Sequence, residues 1–362
     1  MSEKKAIKLG IWGLGRAGYS MHCKELDAYA DEFKVVAGCD LEQERLDRLK
    51  TRYPECRVYL DGNEFLADPE VELVAVAVRS PQHVDYALRA LAAGKMVFLE
   101  KPIALSVEGA DKLADAVKKY PGKLYFRHNR RFEIVFNRLL EFIHSGKLGR
   151  VYEIKLRRNF YQFREDWQAI RNCGGGQLTN WGPHLIDQSL QLLESPVKDI
   201  WSNLQLTIAR GDAEDHVKIV FKGENGRVVD MEISGGVTIT PPLATVYGTR
   251  GAAECTDKVM KLKYLKPDME MPTYAAHPET PSLKAPFSGL IKPEFVEEEL
   301  PVESNDEDGI DETGIYHKLY ATIREGKPFR IKPEEAFAVV KVMDQVRRQN
   351  PEFPGWHDEY GK

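Results

Sequence analysis

Apolar and polar residues follow two different rhythms along this chain, and the rhythm changes near residue 127. Ile7 to Trp12, Phe33 to Cys39, Val71 to Val78, Met96 to Leu99 and Lys123 to Phe126 are short, nearly continuous apolar runs. Parallel strands buried on both faces read this way. Val58 to Leu60 is a shorter strand candidate. Helix-like stretches separate these runs: Gly18 to about Ala30, a charged helix ending at Asp47 to Arg52, Val84 to Ala93, and Ser106 to Lys119. The alternation predicts an α/β domain with a doubly wound parallel sheet over residues 1–127. Past the boundary, Phe132, Val135, Phe136, Leu139, Leu140 and Ile143 mark one face of a helix, and Val151 to Phe160 alternates as a half-buried antiparallel strand does. Leu204 to Ala209, Val217 to Phe221, Val228 to Ile233 and Leu243 to Tyr247 then follow without intervening helices. That run predicts a large, mostly antiparallel sheet in an α+β domain over residues 128–362. Residues 266–308 are proline-rich and acidic and read as a long loop or flap. Ile315, Leu319 and Ile323 mark one further helix, Phe337, Val340 and Val346 another, and the tail with Pro354 and Trp356 reads as docked on a surface.

The first strand runs into Gly13-Leu14-Gly15-Arg16-Ala17-Gly18 and then a helix. In a strand–turn–helix unit the first glycine permits the tight turn and the second lets a pyrophosphate touch the backbone. The third lets the helix pack closely on the strand, with its N-terminus facing the anion. Asp40 closes the second strand, where an acid bridges the ribose hydroxyls of a dinucleotide and repels a 2′-phosphate. NAD is therefore expected; Arg45, one turn on, leaves NADP open. Arg79, Ser80 and His83 fall at the carboxyl end of the Val71–Val78 strand, where open α/β sheets bind ligands. His83 reads either as a cofactor neighbour or as a helix cap, and Arg79 either as a ligand-facing cation or as a solvated loop residue.

Val97 to Leu99 delivers Glu100-Lys101-Pro102. The proline stiffens this turn and biases Lys101 toward an extended conformation. A lysine at the mouth of a dinucleotide crevice, partly desolvated and near other cations, has its pKa lowered toward neutrality and becomes a general base or acid. The competing reading is a salt bridge between Glu100 and Lys101 or a neighbour. In the second domain Trp167, Arg171 and Cys173 lead into Gly174-Gly175-Gly176, then Asn180, His184 and Asp187. The glycines allow close backbone approach to a ligand or mark a mobile linker. Asp187, one turn after His184, is placed to hold one imidazole nitrogen or to pair elsewhere.

Composition narrows the function. The chain has 362 residues, 43% hydrophobic and 30% charged, with a formal charge of −5. Nothing in that balance points to nucleic acid or an anionic membrane, and no apolar run approaches the ~20 residues of a bilayer span. Five scattered cysteines without C-x-x-C spacing suit reduced thiols in the cytoplasm and argue against a disulfide scaffold or zinc site. No H-E-x-x-H or other metal-ligand spacing occurs.

The dinucleotide fingerprint, Ala93-Gly94-Lys95-Met96-Val97 leading to Glu100-Lys101-Pro102, and Asn129-Arg130-Arg131-Phe132 together resemble the Gfo/Idh/MocA oxidoreductases, the glucose–fructose oxidoreductase and inositol dehydrogenase relatives. The resemblance resumes at Gly174, where Gly174-Gly175-Gly176-Gln177-Leu178-Thr179-Asn180-Trp181-Gly182-Pro183-His184-Leu185-Ile186-Asp187 is similar to G-G-G-x-L-x-D-x-G-x-H-x-x-D, with Asn180 in the aspartate position. It implies a Rossmann domain, a second domain whose sheet often forms a homo-oligomer interface, and a catalytic lysine at Lys101. It further implies that the residues at Asn180 and His184 face the substrate with Lys101. Asn180, Trp167 and Arg171 are expected to orient the substrate, and Glu100, Lys101 and Asn129 to lie at the cofactor. Val78, Arg79 and Ser80 occupy the family's T-P-N positions. The expected activity is NAD-dependent hydride transfer to or from a sugar, polyol or related substrate. Two alternatives stand beside it: a glycoside-cleaving enzyme that oxidises its sugar transiently, and a non-enzymatic cofactor-binding regulator.

Overall fold

A computed structural model describes residues 5–270, 292–302 and 314–355. The first sheet has six parallel strands in the order β3-β2-β1-β4-β5-β6. These are β1 (Ile7–Trp12), β2 (Phe33–Cys39), β3 (Arg57–Tyr59), β4 (Leu73–Val76), β5 (Met96–Glu100) and β6 (Leu124–Arg127). A π-helical turn, Arg16–His22, runs into α1 (Cys23–Ala28), and α2 (Gln43–Arg52), α3 (Gly62–Ala67), α4 (His83–Ala92) and α5 (Val107–Lys119) complete the windings. The order reverses between β1 and β4, so the crevice for a ligand opens at the carboxyl ends of those strands. β4 is buried at all four positions, as its unbroken apolar sequence requires.

The second sheet has eight strands in the order β14-β13-β12-β11-β7-β10-β9-β8. After α6 (Ile134–His144) come β7 (Val151–Asn159), α7 (Gln177–Asn180), α8 (Gly182–Leu193), β8 (Val197–Gln205), β9 (His216–Gly223) and β10 (Val228–Ser234). β11 (Ala244–Gly248), β12 (Gly251–Cys255), β13 (Val259–Leu265) and β14 (Phe295–Pro301) follow. Among the described residues of this sheet only β7 and β10 pair in parallel. Alternate residues of β10 (Val229, Met231, Ile233) and β9 (Val217, Ile219, Phe221) face a core shared with α6 and α8. The opposite face of these strands carries a ladder of ion pairs, in which Lys218 bridges Asp230 and Glu232 while Arg157 binds Asp230.

Three expectations change. The strand expected over Leu204 to Ala209 is instead Val197–Gln205, because Asp215 collects the amides of Thr207, Ile208 and Ala209 into a loop. Part of the expected 266–308 loop is the edge strand β14. Its Glu297 and Glu298 meet Lys263 and Lys147, so the acidic run is a paired edge. Residues 271–291 and 303–308 of that segment, and Trp356, lie outside the described residues. Finally, the chain returns to the first domain near its end. Ile315, Tyr316, Leu319 and Tyr320 of α9 (Gly314–Glu325) pack into the core of the parallel sheet. The last helix, α10 (Pro333–Gln349), divides itself, with Ala336 and Val340 in the first core and Val339, Met343 and Val346 in the second.

Tyr316 inserts edge-on between Phe33 and Phe98, and its hydroxyl meets Nδ1 of His22. Arg127, fully buried at the end of β6, binds Glu25 through Nη2 and places Nη1 3.2 Å from Glu100. Breaking a buried ion network by removing its permanent cation leaves uncompensated charge in the core. Arg127→Leu should therefore lower the unfolding free energy by ~3–5 kcal/mol, measured as a fall in the urea midpoint. A loss within about 0.5 kcal/mol, the range of ordinary surface substitutions, would show that Glu25 and Glu100 find other compensation.

Candidate active site

The glycine turn after β1 has the geometry a dinucleotide requires. Gly13 adopts φ +95°, and a Cβ there would lie 2.7 Å from the carbonyl oxygen of Ala77. At Gly18 a Cβ would lie 1.9 Å from the Gly13 carbonyl oxygen, so the helical turn sits directly on the strand end. Gly15, by contrast, faces open space, with nothing within 4 Å of the position a Cβ would take. That open backbone is where a pyrophosphate fits, beside exposed Arg16 and half-buried Ala17 at the start of the helical turn. Leu14 is buried, and its amide donates to Asp40 Oδ2 at 2.7 Å. Asp40 Oδ1 accepts from the Glu42 amide at 3.1 Å and from Arg45 Nη1 at 3.4 Å. A carboxylate has about four acceptor positions, so Asp40 both braces the turn and keeps capacity for a ribose hydroxyl.

Lys101 follows β5 directly, before a cis bond to Pro102. Its side chain is half-buried, and Nζ donates to the main-chain carbonyl of Asn180 at 3.2 Å. Loss of water around the ammonium pushes its pKa down to about 8; Glu100 opposes the shift, and Arg127, Arg164 and Arg130 add to it. The salt-bridge alternative for Lys101 is not what the fold builds. Glu100 is buried and turned inward: its carboxylate lies 3.1 Å from His22 Nε2, beside Arg127, and accepts from the Lys101 amide at 3.0 Å. Burial works to raise the Glu100 pKa, but Arg127 and His22 outweigh it and hold the carboxyl well below its usual range. Glu100 thus sits beside the catalytic candidate as part of the core.

His83 is also a strut. Its Nδ1 lies 2.6 Å from the Pro102 carbonyl and Nε2 lies 3.0 Å from that of Val78, which ties the turn after β5 to the end of β4. Ser80 is buried at the start of a 3-10 turn. Arg79 is exposed and reaches across the crevice, with its guanidinium 5.9 Å from the Trp167 ring. Asn129 is buried after β6, and its Oδ1 has no partner among the described residues.

The second domain supplies the facing wall. Gly174 (φ +75°) packs on Leu105 and Pro81, and a Cβ at Gly176 (φ +109°) would meet the Glu214 carboxylate at 2.2 Å. These glycines allow close approach to protein, and they press α7 against the ends of β4 and β5. His184, on the first turn of α8, is buried, with Nδ1 lacking a partner among the described residues. Burial and repulsion by Lys101 and Arg130 hold its pKa well below the ordinary value, so the imidazole is neutral. Asp187 takes the second of its two expected roles. It binds Arg131 in a fork, at 2.7 Å to Nε and 2.6 Å to Nη2, and does not hold His184. Arg171 is paired with Asp212 and reaches the Glu352 carbonyl.

Several further groups at the site carry little or no mark in the sequence. Asn180 also lines a small pocket with Phe160, Arg164, Gln168, Gln177 and Asp215. His128 is buried next to Asn129 with neither ring nitrogen partnered among the described residues. The run Arg127-His128-Asn129, three polar residues directly after a core strand, is the signal that marks His128; no local signal marks Arg164 or Gln177. Among the described residues no cluster of metal-ligating side chains occurs, and no helix is long and apolar enough to cross a membrane.

Comparison with known proteins agrees with this geometry. Residues 7–128 match the model of an oxidoreductase family with an NAD-binding Rossmann fold, and residues 136–254 match a GFO/IDH/MocA C-terminal domain. The scyllo-inositol 2-dehydrogenase (NADP(+)) of Bacillus subtilis is 25% identical over 356 residues, covering 96% of this chain and 94% of its own. An uncharacterized oxidoreductase of Schizosaccharomyces pombe is 32% identical over 259 residues, covering 68% of this chain and 69% of its own. In fold, the chain is similar to GenD2 from gentamicin A biosynthesis in complex with NAD, with a TM-score of 0.74, 23% identity and coverage of 97% and 96%. With its glycine turn, its parallel and antiparallel sheets and both family domains in sequence, the chain belongs to the Gfo/Idh/MocA family of NAD(P)-dependent oxidoreductases.

Proposed function

We propose that this enzyme interconverts a carbinol and a carbonyl on a sugar or polyol, with NAD as cofactor and Lys101 as the group that moves the hydroxyl proton. The observation that carries this reading is the position of Lys101 Nζ. It lies at the carboxyl end of β5, held on the Asn180 carbonyl, with its pKa brought down to about 8. The bound nicotinamide supplies the hydride acceptor or donor. Lys101, as a neutral amine, takes the hydroxyl proton during oxidation, and as an ammonium returns it during reduction. His184, neutral and with an unpartnered Nδ1 among the described residues, would share that proton or hold the substrate oxygen. The Asn180 amide can hydrogen-bond a hydroxyl but carries no charge. Trp167, held by Arg79 across the crevice, forms the side of the cleft. The inositol dehydrogenase relative supports a cyclic polyol or sugar as the substrate class.

Lys101→Met should lower kcat for NAD-dependent oxidation by ~10²–10⁴ while the affinity for NAD, read by fluorescence titration, stays within a factor of two or so of the parent. Retention of full turnover by this variant would remove Lys101 from the chemistry. In the parent enzyme, kcat/KM for oxidation should rise with pH through about 8, because the base must be neutral, and kcat/KM for reduction should fall through the same range. Equal, flat profiles in both directions would contradict the assignment. Net NADH formation with a sugar panel separates the dehydrogenase from a transient-oxidation glycoside cleavage, which releases product with none.

The cofactor preference follows from Asp40, whose carboxylate repels a 2′-phosphate, while Arg45 is held on Asp40 and Glu42. Asp40→Ser should shrink the preference for NAD over NADP by about tenfold, the equivalent of ~1.4 kcal/mol, in paired binding titrations. An unchanged ratio would place the discrimination elsewhere.

A further inference from the structure

The pocket behind Asn180 is lined by Phe160, Gln162, Arg164, Gln168, Gln177 and Asn180, over a floor that includes Glu214 and Asp215. Both floor carboxylates are engaged inside the protein. Glu214 receives Arg347 through Nη1 and Nη2 at 3.0 and 2.9 Å and the Leu178 amide at 3.2 Å. Asp215 receives the amides of Thr207, Ile208 and Ala209 and the Thr207 hydroxyl. Arg164 is steered by Asp166, which takes Nε at 2.7 Å and Nη2 at 3.1 Å, and its Nη2 also meets Gln168 Oε1. These bonds leave its Nη1 available to a ligand. Gln177 differs from all of these. Its residue is 5% exposed, and its Oε1 is buried with no donor among the described residues. Its own main-chain amide is fixed on the Glu214 carbonyl at 2.9 Å, so the side chain starts from a rigid point.

Buried side-chain oxygens without a donor are rare in native proteins, and each calls for a cause. We propose that this pocket is a specificity subsite, in which Gln177 and Arg164 read a substrate hydroxyl remote from the reacting carbon. The proposal rests on the sugar or polyol oxidoreductase reading above. A hydroxyl fits the pair because it both donates and accepts: its hydrogen meets the orphan Gln177 oxygen while its own oxygen takes a guanidinium N–H from Arg164. A carboxylate would satisfy Arg164 and leave Gln177 Oε1 empty; a methyl would satisfy neither. Asn180 links the subsite to the chemistry, since it lines the pocket and its carbonyl receives Lys101 Nζ. On this proposal the hydroxyl that is read and the carbinol that reacts belong to one small molecule.

A site built to hydrogen-bond a hydroxyl rejects the analogue that lacks it far more strongly than an apolar pocket does. The test uses the full-length enzyme saturated with NAD and a panel made of D-glucose, its 2-, 3-, 4- and 6-deoxy forms, glucuronate and myo-inositol. Binding is followed by calorimetry and turnover by NADH formation. In the parent, deleting one particular hydroxyl should weaken binding at least ~10-fold, and glucuronate should not replace a 6-hydroxyl if that is the group read. In Gln177→Leu the same deletion should cost markedly less, since only the Arg164 bond is left to lose, with the loss appearing in KM more than in kcat. Gln177→Glu keeps an acceptor and should keep the discrimination; unchanged NAD affinity shows that either variant is folded. If the panel binds and every deoxy sugar behaves alike in the parent and both variants, the subsite is overturned. If hydroxyl-dependent binding is present and sensitive to Gln177 but no panel member yields NADH, the subsite stands and the proposed dehydrogenase reaction fails. Failure of the entire panel to bind overturns both.

Discussion

The candidate active site rests on a buried charge cluster behind Lys101. Arg127, fully buried, stands between Glu25 and Glu100, and His22 joins Glu100 to the hydroxyl of Tyr316. Two carboxylates in the core require a cation, since isolated charges there are prohibitively costly. With Arg127 present, Glu100 has its counter-ion behind it and turns away from its own neighbour. Lys101 is thereby released from the acid that precedes it in sequence and points at the Asn180 carbonyl instead. A cluster so deep in the first domain serves to set both the direction and the charge state of the one side chain that follows it.

That same cluster connects parts of the chain that are far apart. Tyr316 comes from α9, beyond the whole second domain, and it closes the first core against Phe33 and Phe98. Arg131 performs a similar role a few residues after Arg127, gripping Asp187 on α8 and Glu335 on α10. The crevice between the two sheets is thus bounded by struts of fixed length. Gly174 against Pro81 sets how near α7 comes to the carboxyl ends of β4 and β5, and Arg79 against Trp167 spans the open side. An arrangement of rigid contacts at the seam is what a hydride-transfer site needs, because reacting atoms must be held near contact distance.

The sequence makes the secondary framework of the first domain legible because its central strands are buried on both faces and Gly13 and Gly18 of the turn have a steric reason to be there. Gly13, Gly18 and Asp40 are local requirements, and local requirements leave local signals. The roles of Glu100, His83, Asp187 and Arg171 are not local. Glu100 looks like a partner for Lys101 until Arg127 and His22 are placed beside it, and His83 looks like a ligand until both nitrogens meet main-chain carbonyls. Asp187 stands one helical turn from His184, yet a bidentate fork with Arg131 is the stronger bond. The strand Phe295–Pro301 is hidden by its glutamates, whose lysine partners lie on other elements. Gln177 sits in a run of small and polar residues in which nothing marks its unpartnered buried oxygen.

Asn180 shows how one residue can separate position from charge. The lysine is anchored on its main-chain carbonyl, at the end of a short helix where carbonyls lack intrahelical donors. Any side chain at 180 would leave that anchor in place. A carboxylate there would add a counter-charge beside Lys101 and favour the ammonium, whereas the amide leaves Arg127, Arg164 and Arg130 to act against it, with Glu100 opposing them. The position of the proposed proton-transfer group is therefore carried by the backbone, and its protonation state by the side chains around it. A change of substrate or of reaction direction within this fold can then proceed by altering the wall at Asn180, Gln177 and Arg164 without disturbing the position of the lysine.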